Sequence, residues 1–380
     1  MTREEIHNLA LSKIDESKYM ILELITGFGK SKLAIDLINH ICYRVFDNYE
    51  EPINVLILVA KTVHKQTWKD EIKKWGGLAT DNVTIECYES LKKYTNTSFD
   101  VVVCDEMQHL SENRLEFFED KIYINEAFIG LSATIKKDMR DYFIYNHKAK
   151  VIKCGLREAV EDEVLPEPVV YLLPLSLDNT ICKYKTKKFG KEIVTTQQGY
   201  YDNISSLIEW YKNKYFSSRN ERIKTLWLST AGKRLKWCAE QKEGLVLSLL
   251  DQFKNVKTLT FCSSIGQSER LGKYNITSKN KKSTEFLNMF NNNKIKHITA
   301  CSILNEGVNL TNCRIGIFCN LNSSEIVVKQ RVGRILRHKS PVIIIPYFKD
   351  TREEELVYKM IEDYSEDSIK IINNIKALKL

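Results

Sequence analysis

Proline and glycine are scarce in this chain of 380 residues, at 6 and 15. Long disordered linkers are therefore not expected, and most of the length should fold. None of the 10 cysteines forms a C-x-x-C pair, which argues against a zinc site. Cys87, Cys104, Cys262, Cys301 and Cys319 sit in apolar, strand-like runs, as reduced and buried thiols do. No apolar run reaches the roughly 18 residues of a membrane span, and the polar N-terminus does not read as a signal peptide. A cytoplasmic protein with no membrane partner is expected.

What is present is an ordinary globular composition, 43% hydrophobic and 28% charged, long enough for two or three domains. The formal charge of +8 suits a polyanionic partner, though mildly.

The sharpest local feature is Leu24-Ile25-Thr26-Gly27-Phe28-Gly29-Lys30-Ser31. An apolar run precedes it and a helical pattern follows. Strand, glycine turn and helix start together make a cradle for an anion, because backbone N–H groups and the helix's positive end face one point. Gly27 and Gly29 allow close approach, Lys30 can bridge outer phosphates, and the Ser31 hydroxyl can hold Mg²⁺. The full phosphate-loop pattern has Gly six residues before the Lys; here that position is Leu24.

Downstream, residues 52–60, 83–88, 99–104 and 127–131 read as strands with helical patterns between them. Such alternation predicts a doubly wound α/β domain, with functional loops at the carboxyl ends of the strands. The 99–104 run ends in Asp105-Glu106-Met107-Gln108-His109. Asp105 can hold the Mg²⁺ that Ser31 also touches, and Glu106 can orient and deprotonate an attacking water. The 127–131 run ends in Ser132-Ala133-Thr134, a third polar cluster on the same edge.

Thr-Gly-Phe-Gly-Lys-Ser, Asp-Glu-Met-Gln-His and Leu-Ser-Ala-Thr, in this order, resemble motifs I, II and III of superfamily 2 helicases, the acid box being similar to the DExH group. The 60–75 segment resembles their motif Ia, and 88–91 stands where motif Ib would. A second domain is visible too. Residues 256–262 end in Ser263-Ser264, like motif IV; 304–310 resemble motif V; and Gln330-Arg331-Val332-Gly333-Arg334-Ile335-Leu336-Arg337 fits motif VI, Gln-x-x-Gly-Arg-x-x-Arg.

The resemblance covers about residues 6–351 and implies an α/β chain of two tandem RecA-like domains, parallel sheets flanked by helices, with an inserted helical and β segment between them. Domain 1 is expected over 1–150, the hinge and insertion over 151–255, and domain 2 with C-terminal helices over 256–380. It implies ATP and Mg²⁺ as cofactors, with nucleotide contacts at Thr26, Gly27, Gly29, Lys30, Ser31, Asp105, His109, Glu306 and Gly307. Catalysis falls to Glu106, Gln330, Arg334 and Arg337, the arginines being read as three apart on one helical face. Ser132 and Thr134 would couple hydrolysis to movement. Lys61, Thr62, Tyr88, Ser90, Ser263 and Asn305 would touch nucleic acid. Many relatives read adenine with a Gln upstream of the loop; no Gln precedes Gln66, and His7 in its place reads as helix surface.

Between 181 and 225, lysines and arginines interleave with Tyr184, Phe189, Tyr200, Tyr201, Trp210, Tyr211, Tyr215 and Phe216. This suits a single-strand contact, or equally an insertion whose rings pack on the motor. Residues 226–250 read as one long helix and 351–380 as one or two more. The expectation is an ATP-dependent helicase or translocase acting on branched or duplex DNA in replication, recombination or repair. It would work as a monomer, with replication or recombination proteins as possible partners. It resembles the motors of type III restriction subunits and phage recombination or repair helicases. An RNA-remodelling helicase, a double-strand translocase and an ATP-gated clamp are the alternatives. The Asn, Lys and Ile content is compatible with a low-GC bacterium, placing the protein in the bacterial cytosol or nucleoid, or with a phage, placing it in the host cytosol.

Overall fold

The computed structural model describes residues 1–46, 52–188, 190–301, 310–321 and 324–379. By its contacts the chain divides into two units. Unit 1 takes in Met1–Pro166 and Glu325–Leu336. Its first part is built from α1 (Arg3–Glu16), β1 (Tyr19–Leu24), α2 (Lys30–Phe46), β2 (Val55–Val59), α3 (Thr62–Lys74), β3 (Val83–Cys87), β4 (Thr97–Asp105), α4 (Glu112–Lys121), β5 (Ile122–Ser132), α5 (Lys137–His147), β6 (Lys150–Cys154) and α6 (Leu156–Glu161). The six strands form one sheet in the order β3-β2-β4-β5-β1-β6, every pairing parallel. A parallel sheet needs helices on both faces, which is why Val55–Val59 can be apolar at every position and wholly buried. The expected boundary at 150 falls inside this unit, because β6 pairs with β1 and extends the first sheet.

Unit 2 begins with β7 (Val169–Leu175), which pairs along its length with a strand near the other end of the chain. Next come β8 (Tyr184–Lys188), β9 (Lys191–Thr195), α7 (Gln197–Ser218), α8 (Glu221–Gln241) and α9 (Glu243–Gln252). The second sheet is completed by β10 (Thr258–Phe261), β11 (Asn275–Ile276), β12 (His297–Ala300), β13 (Ile315–Phe318), β14 (Val342–Phe348) and β15 (Ile369–Ile371). With α10 (Ile265–Leu271), α11 (Ser283–Asn291) and α13 (Arg352–Ile361), its parallel order is β11-β12-β10-β13-β14-β7-β15. The hinge strand is thus a member of the second sheet.

One helical expectation changes. The 226–250 helix is broken at Lys242, whose ammonium turns inward, bonds Glu353 Oε1 at 2.6 Å and donates to Pro346 O at 3.1 Å. Of the one or two tail helices expected, the described residues form one α-helix, α13; beyond it Ile369-Lys370-Ile371 alternates apolar and polar and joins β7 as an edge strand. The helix between β13 and β14, α12 (Glu325–Ile335), belongs by its contacts to unit 1, although the chain reaches it from unit 2 strands.

The insertion is a two-stranded hairpin, β8–β9, followed by the antiparallel helices α7 and α8. Arg219 in the left-handed region and Asn220, whose side chain caps α8, make the turn. The insertion's base is fixed to unit 2. Tyr201 Oη accepts from Arg352 N at 2.7 Å, Tyr200 stacks on Trp237 at 4.8 Å, and Gln267 Nε2 donates to Ala239 O at 2.7 Å.

Candidate nucleotide site

Register sets the site in unit 1. Asp105 is level with Leu131 across β4–β5, and Ser132 is level with Glu23 across β5–β1. The carboxyl ends of three neighbouring strands therefore deliver the phosphate loop, the acid pair and Ser132 to one edge. The loop turns at Gly27 (φ +96°) and Gly29 (φ +109°), conformations that a side chain would strain. Lys30 opens α2 and its Nζ donates to Leu24 O at 2.9 Å. Arg3, which the sequence did not single out, donates from Nη2 to Gly27 O at 3.4 Å and Val164 O at 3.2 Å, tying α1 to the loop. His7 bonds Asp36 at 3.0 Å on the flank of α2, in keeping with a surface role.

Asp105 is part-buried, and its carboxyl is pushed up to about 6 by loss of water around it, then by the Glu106 charge; the bond from Trp68 and the Lys30 charge act the other way. Glu106 sits at φ +53°, a region few residues other than glycine adopt, so its placement is held by its surroundings. Part of that hold is visible. Gln108 Nε2 donates to Glu106 Oε2 at 2.7 Å, and Ser132 Oγ donates to Gln108 Oε1 at 2.6 Å. Thr134 N closes the chain onto Ser132 Oγ at 3.1 Å. Gln108 thus bridges the acid box to Ser132. Counted as D-E-x-H, the box puts its fourth member at 108, which is Gln, with His one residue later. That count was the available signal for Gln108. Below the box, Met107 is buried against Gly130, where a Cβ would lie 2.4 Å from the Met107 sulfur.

The α12 segment packs on the phosphate loop. A Cβ at Gly333 would meet Thr26 Cβ at 2.4 Å and Thr26 O at 2.9 Å, so glycine is required for this approach. Gln330, Arg331 and Arg334 are buried. Arg337 lies past the helix end at Ile335 and is exposed, so the two arginines do not share a helical face as expected. Among the described residues Thr26 Oγ1 and Gln330 Nε2 are buried with no hydrogen-bond partner, which is rare unless a ligand supplies one. Together with the Asp105 carboxylate and Ser31 hydroxyl, hard oxygen donors, the residues fit a Mg²⁺-nucleotide.

Lys61, Thr62 and Ser90 line a groove of about 570 Å³ with Lys65, Glu86, Cys87 and Lys93. Tyr88 does not reach it. Its ring is 1% exposed beside His109, and its hydroxyl donates to Asp105 O at 3.0 Å, because the short helical turn over Tyr88–Tyr94 points it into the core. Ser263, in unit 2, bonds Gln267 Oε1 through its N at 2.8 Å and Oγ at 2.9 Å. Asn305, Glu306, Gly307 and Phe189 lie outside the described residues.

A glycine-rich phosphate loop, a part-buried Asp-Glu pair at the next strand end but one and an arginine helix are the parts that a nucleoside-triphosphate hydrolase uses, and here they stand on a chain of two parallel sheets. The comparisons narrow it. Residues 233–339 match the helicase conserved C-terminal domain. The chain is 21% identical to the DNA 3'-5' translocase XPB2 of Sulfurisphaera tokodaii, over 92% of this chain and 80% of that protein. Among solved structures it is similar to the Hef helicase domain of Pyrococcus furiosus, with a TM-score of 0.52 and 12% identity over 93% of this chain and 97% of that one. It is also similar to a fragment of a putative HsdR subunit of a type I restriction enzyme from Vibrio vulnificus, with a TM-score of 0.61 and 18% identity over 96% and 67% of the two chains. The two parallel sheets flanked by helices are those of the tandem RecA-like domains in the superfamily 2 helicases that the chain is similar to, enzymes that hydrolyse ATP under stimulation by nucleic acid.

Proposed function

We propose that this chain is a Mg²⁺-dependent DNA helicase or translocase that works on branched or duplex DNA in replication, recombination or repair. The observation that carries this reading is the meeting, on one edge of unit 1, of Lys30, Asp105, Glu106 and Ser132 with Gly333 of α12 seated on Thr26. The backbone of 26–31 and Lys30 hold the triphosphate. Ser31 and Asp105 would hold Mg²⁺, which supplies charge neutralisation between the outer phosphates. Glu106, kept in place by Gln108, orients the attacking water and takes its proton. Gln330 approaches the same water or the γ-phosphate. Arg334 and Arg337 neutralise charge as the bond to the leaving phosphate breaks. Ser132 and Thr134 pass the change at Glu106 on to the rest of the unit.

Nucleic acid is contacted by Lys61, Thr62 and Ser90 in the first unit, by Ser263 in the second and by the basic, aromatic distal part of α7–α8. The similar translocase is named for DNA, and that favours DNA over RNA. That it is named a translocase favours a second reading, in which this chain moves along DNA and strand separation is not its task. The test is ATP hydrolysis with and without matched DNA and RNA strands, followed by strand-displacement and triplex-displacement assays. DNA stimulation above RNA, with strands released, is expected. Stimulation by RNA alone would overturn the DNA assignment, and triplex displacement alone would favour the second reading. Binding should weaken steeply with salt as phosphate contacts release counterions.

A further inference from the structure

Asp105 is gripped from two directions by buried residues on the two elements that carry Lys61, Thr62 and Ser90 to the groove. Trp68 lies on α3, the helix that Lys61 and Thr62 begin, and is 2% exposed. Its indole N–H donates to Asp105 Oδ2 at 2.8 Å. Tyr88 precedes Ser90 in the same short turn, and its hydroxyl donates to the Asp105 carbonyl at 3.0 Å. One bond fixes the side chain and the other the backbone of a single residue.

The Trp68 contact is more than burial asks for. A buried indole N–H requires an acceptor, but a neutral carbonyl would serve; here it meets a carboxylate, a stronger and more directional partner. Both donors are too buried for water to replace them. An α-helix moves as a rigid piece, so a displacement at Lys61 or Thr62 carries Trp68 with it. Second-sphere donors to a cation's carboxylate set its orientation and basicity.

We propose that Trp68 and Tyr88 are positioning residues that hold Asp105 in its cation-binding geometry and pass nucleic-acid occupancy of the groove to it. The proposal rests on the reading of Asp105 as a Mg²⁺ ligand and of the Lys61–Thr62–Ser90 groove as a nucleic-acid contact. In that arrangement DNA binding and metal–nucleotide binding are linked, and by reciprocity each raises the affinity for the other.

The test uses the full chain with Mn²⁺ as a paramagnetic stand-in for Mg²⁺, ADP, and oligothymidylate. Free and bound Mn²⁺ are measured by electron paramagnetic resonance, and oligothymidylate binding by anisotropy. The wild type should hold Mn²⁺·ADP, more tightly when oligothymidylate is present. Trp68→Phe keeps a ring in the core but removes the donor; it should lower Mn²⁺ affinity about tenfold and abolish the oligothymidylate effect. Tyr88→Phe, which deletes one oxygen, should reduce both by about two- to tenfold. If both variants match the wild type in affinity and in linkage, the proposal falls while the motor reading stands. If the wild type itself fails to hold Mn²⁺·ADP, the assignment of Asp105 falls first and takes the proposal with it. Should Trp68→Phe fail to fold, wild-type values for Tyr88→Phe alone overturn the proposal.

Discussion

The nucleotide edge of unit 1 and the distal part of the α7–α8 arm both combine aromatic rings with charge, yet they hold them in opposite ways. At the edge, Trp68 and Tyr88 are buried and each makes one directional hydrogen bond to Asp105. On the arm, Trp210 is 53% and Phe216 50% exposed. Their partners are cations lying over the rings, Lys214 at 4.7 Å from Trp210 and Arg219 at 5.3 Å from Phe216. The first arrangement fixes atoms to a fraction of an ångström, as bond-breaking requires. The second leaves wet, adaptable contacts suited to a backbone whose sequence does not matter. The difference also divides the arm internally: at its base Tyr201 bonds Arg352 N beyond the arm, and Tyr200 stacks on Trp237, which packs against the cluster of Tyr201 and Phe348.

Substitutions at the two regions should therefore fail differently. Lys30→Ala and Glu106→Gln should each cut ATP turnover by at least about 10³-fold, with Glu106→Gln still binding ATP and retaining nucleic acid in a trapped state. Normal turnover by Glu106→Gln would remove its role as base. Lys242→Ala attacks the mounting of the arm instead. It leaves Glu353 buried without its cation and should cost about 3–5 kcal/mol of stability in a denaturant titration, whereas Lys242→Met with Glu353→Leu should recover most of it. Gln108→Ala should lower kcat about 10- to 100-fold, and combining it with Ser132→Ala should cost less than the sum, because both act through Glu106. Additive losses would break the bridge. The smallest effect belongs to the distal arm. Trp210→Ala should weaken oligothymidylate binding by about 1–2 kcal/mol, while Tyr200→Ala should lower the melting temperature instead. Equal effects of both on DNA binding would erase the division of the arm.

The parts legible in the sequence were those encoded by contiguous residues. The apolar runs at 52–60 and 99–104 became central strands because a parallel sheet buries both faces. The phosphate loop, Asp105-Glu106 and Ser132 were readable because each ends such a strand. What escaped depends on residues distant in the chain. Trp68 meets Asp105 across 37 positions, and Ser132 meets Gln108 across 24. The break at Lys242 depends on Glu353, 111 positions on, so local helical periodicity carried no sign of it. Tyr88 was misplaced because it was assigned by its position where motif Ib would stand, and position does not tell which way the turn of the backbone points the ring. Composition could not divide the arm's rings either, since basal Tyr200-Tyr201 and distal Trp210-Tyr211 are alike in type and lie on one helix.

The central claim is that the phosphate loop and the arginine helix seated on it serve one triphosphate. Single-turnover hydrolysis by Arg334→Gln, measured beside its ATP affinity, tests this most directly. The account predicts a rate lower by about 10³-fold, with affinity changed only a few-fold. Hydrolysis at the wild-type rate would contradict it.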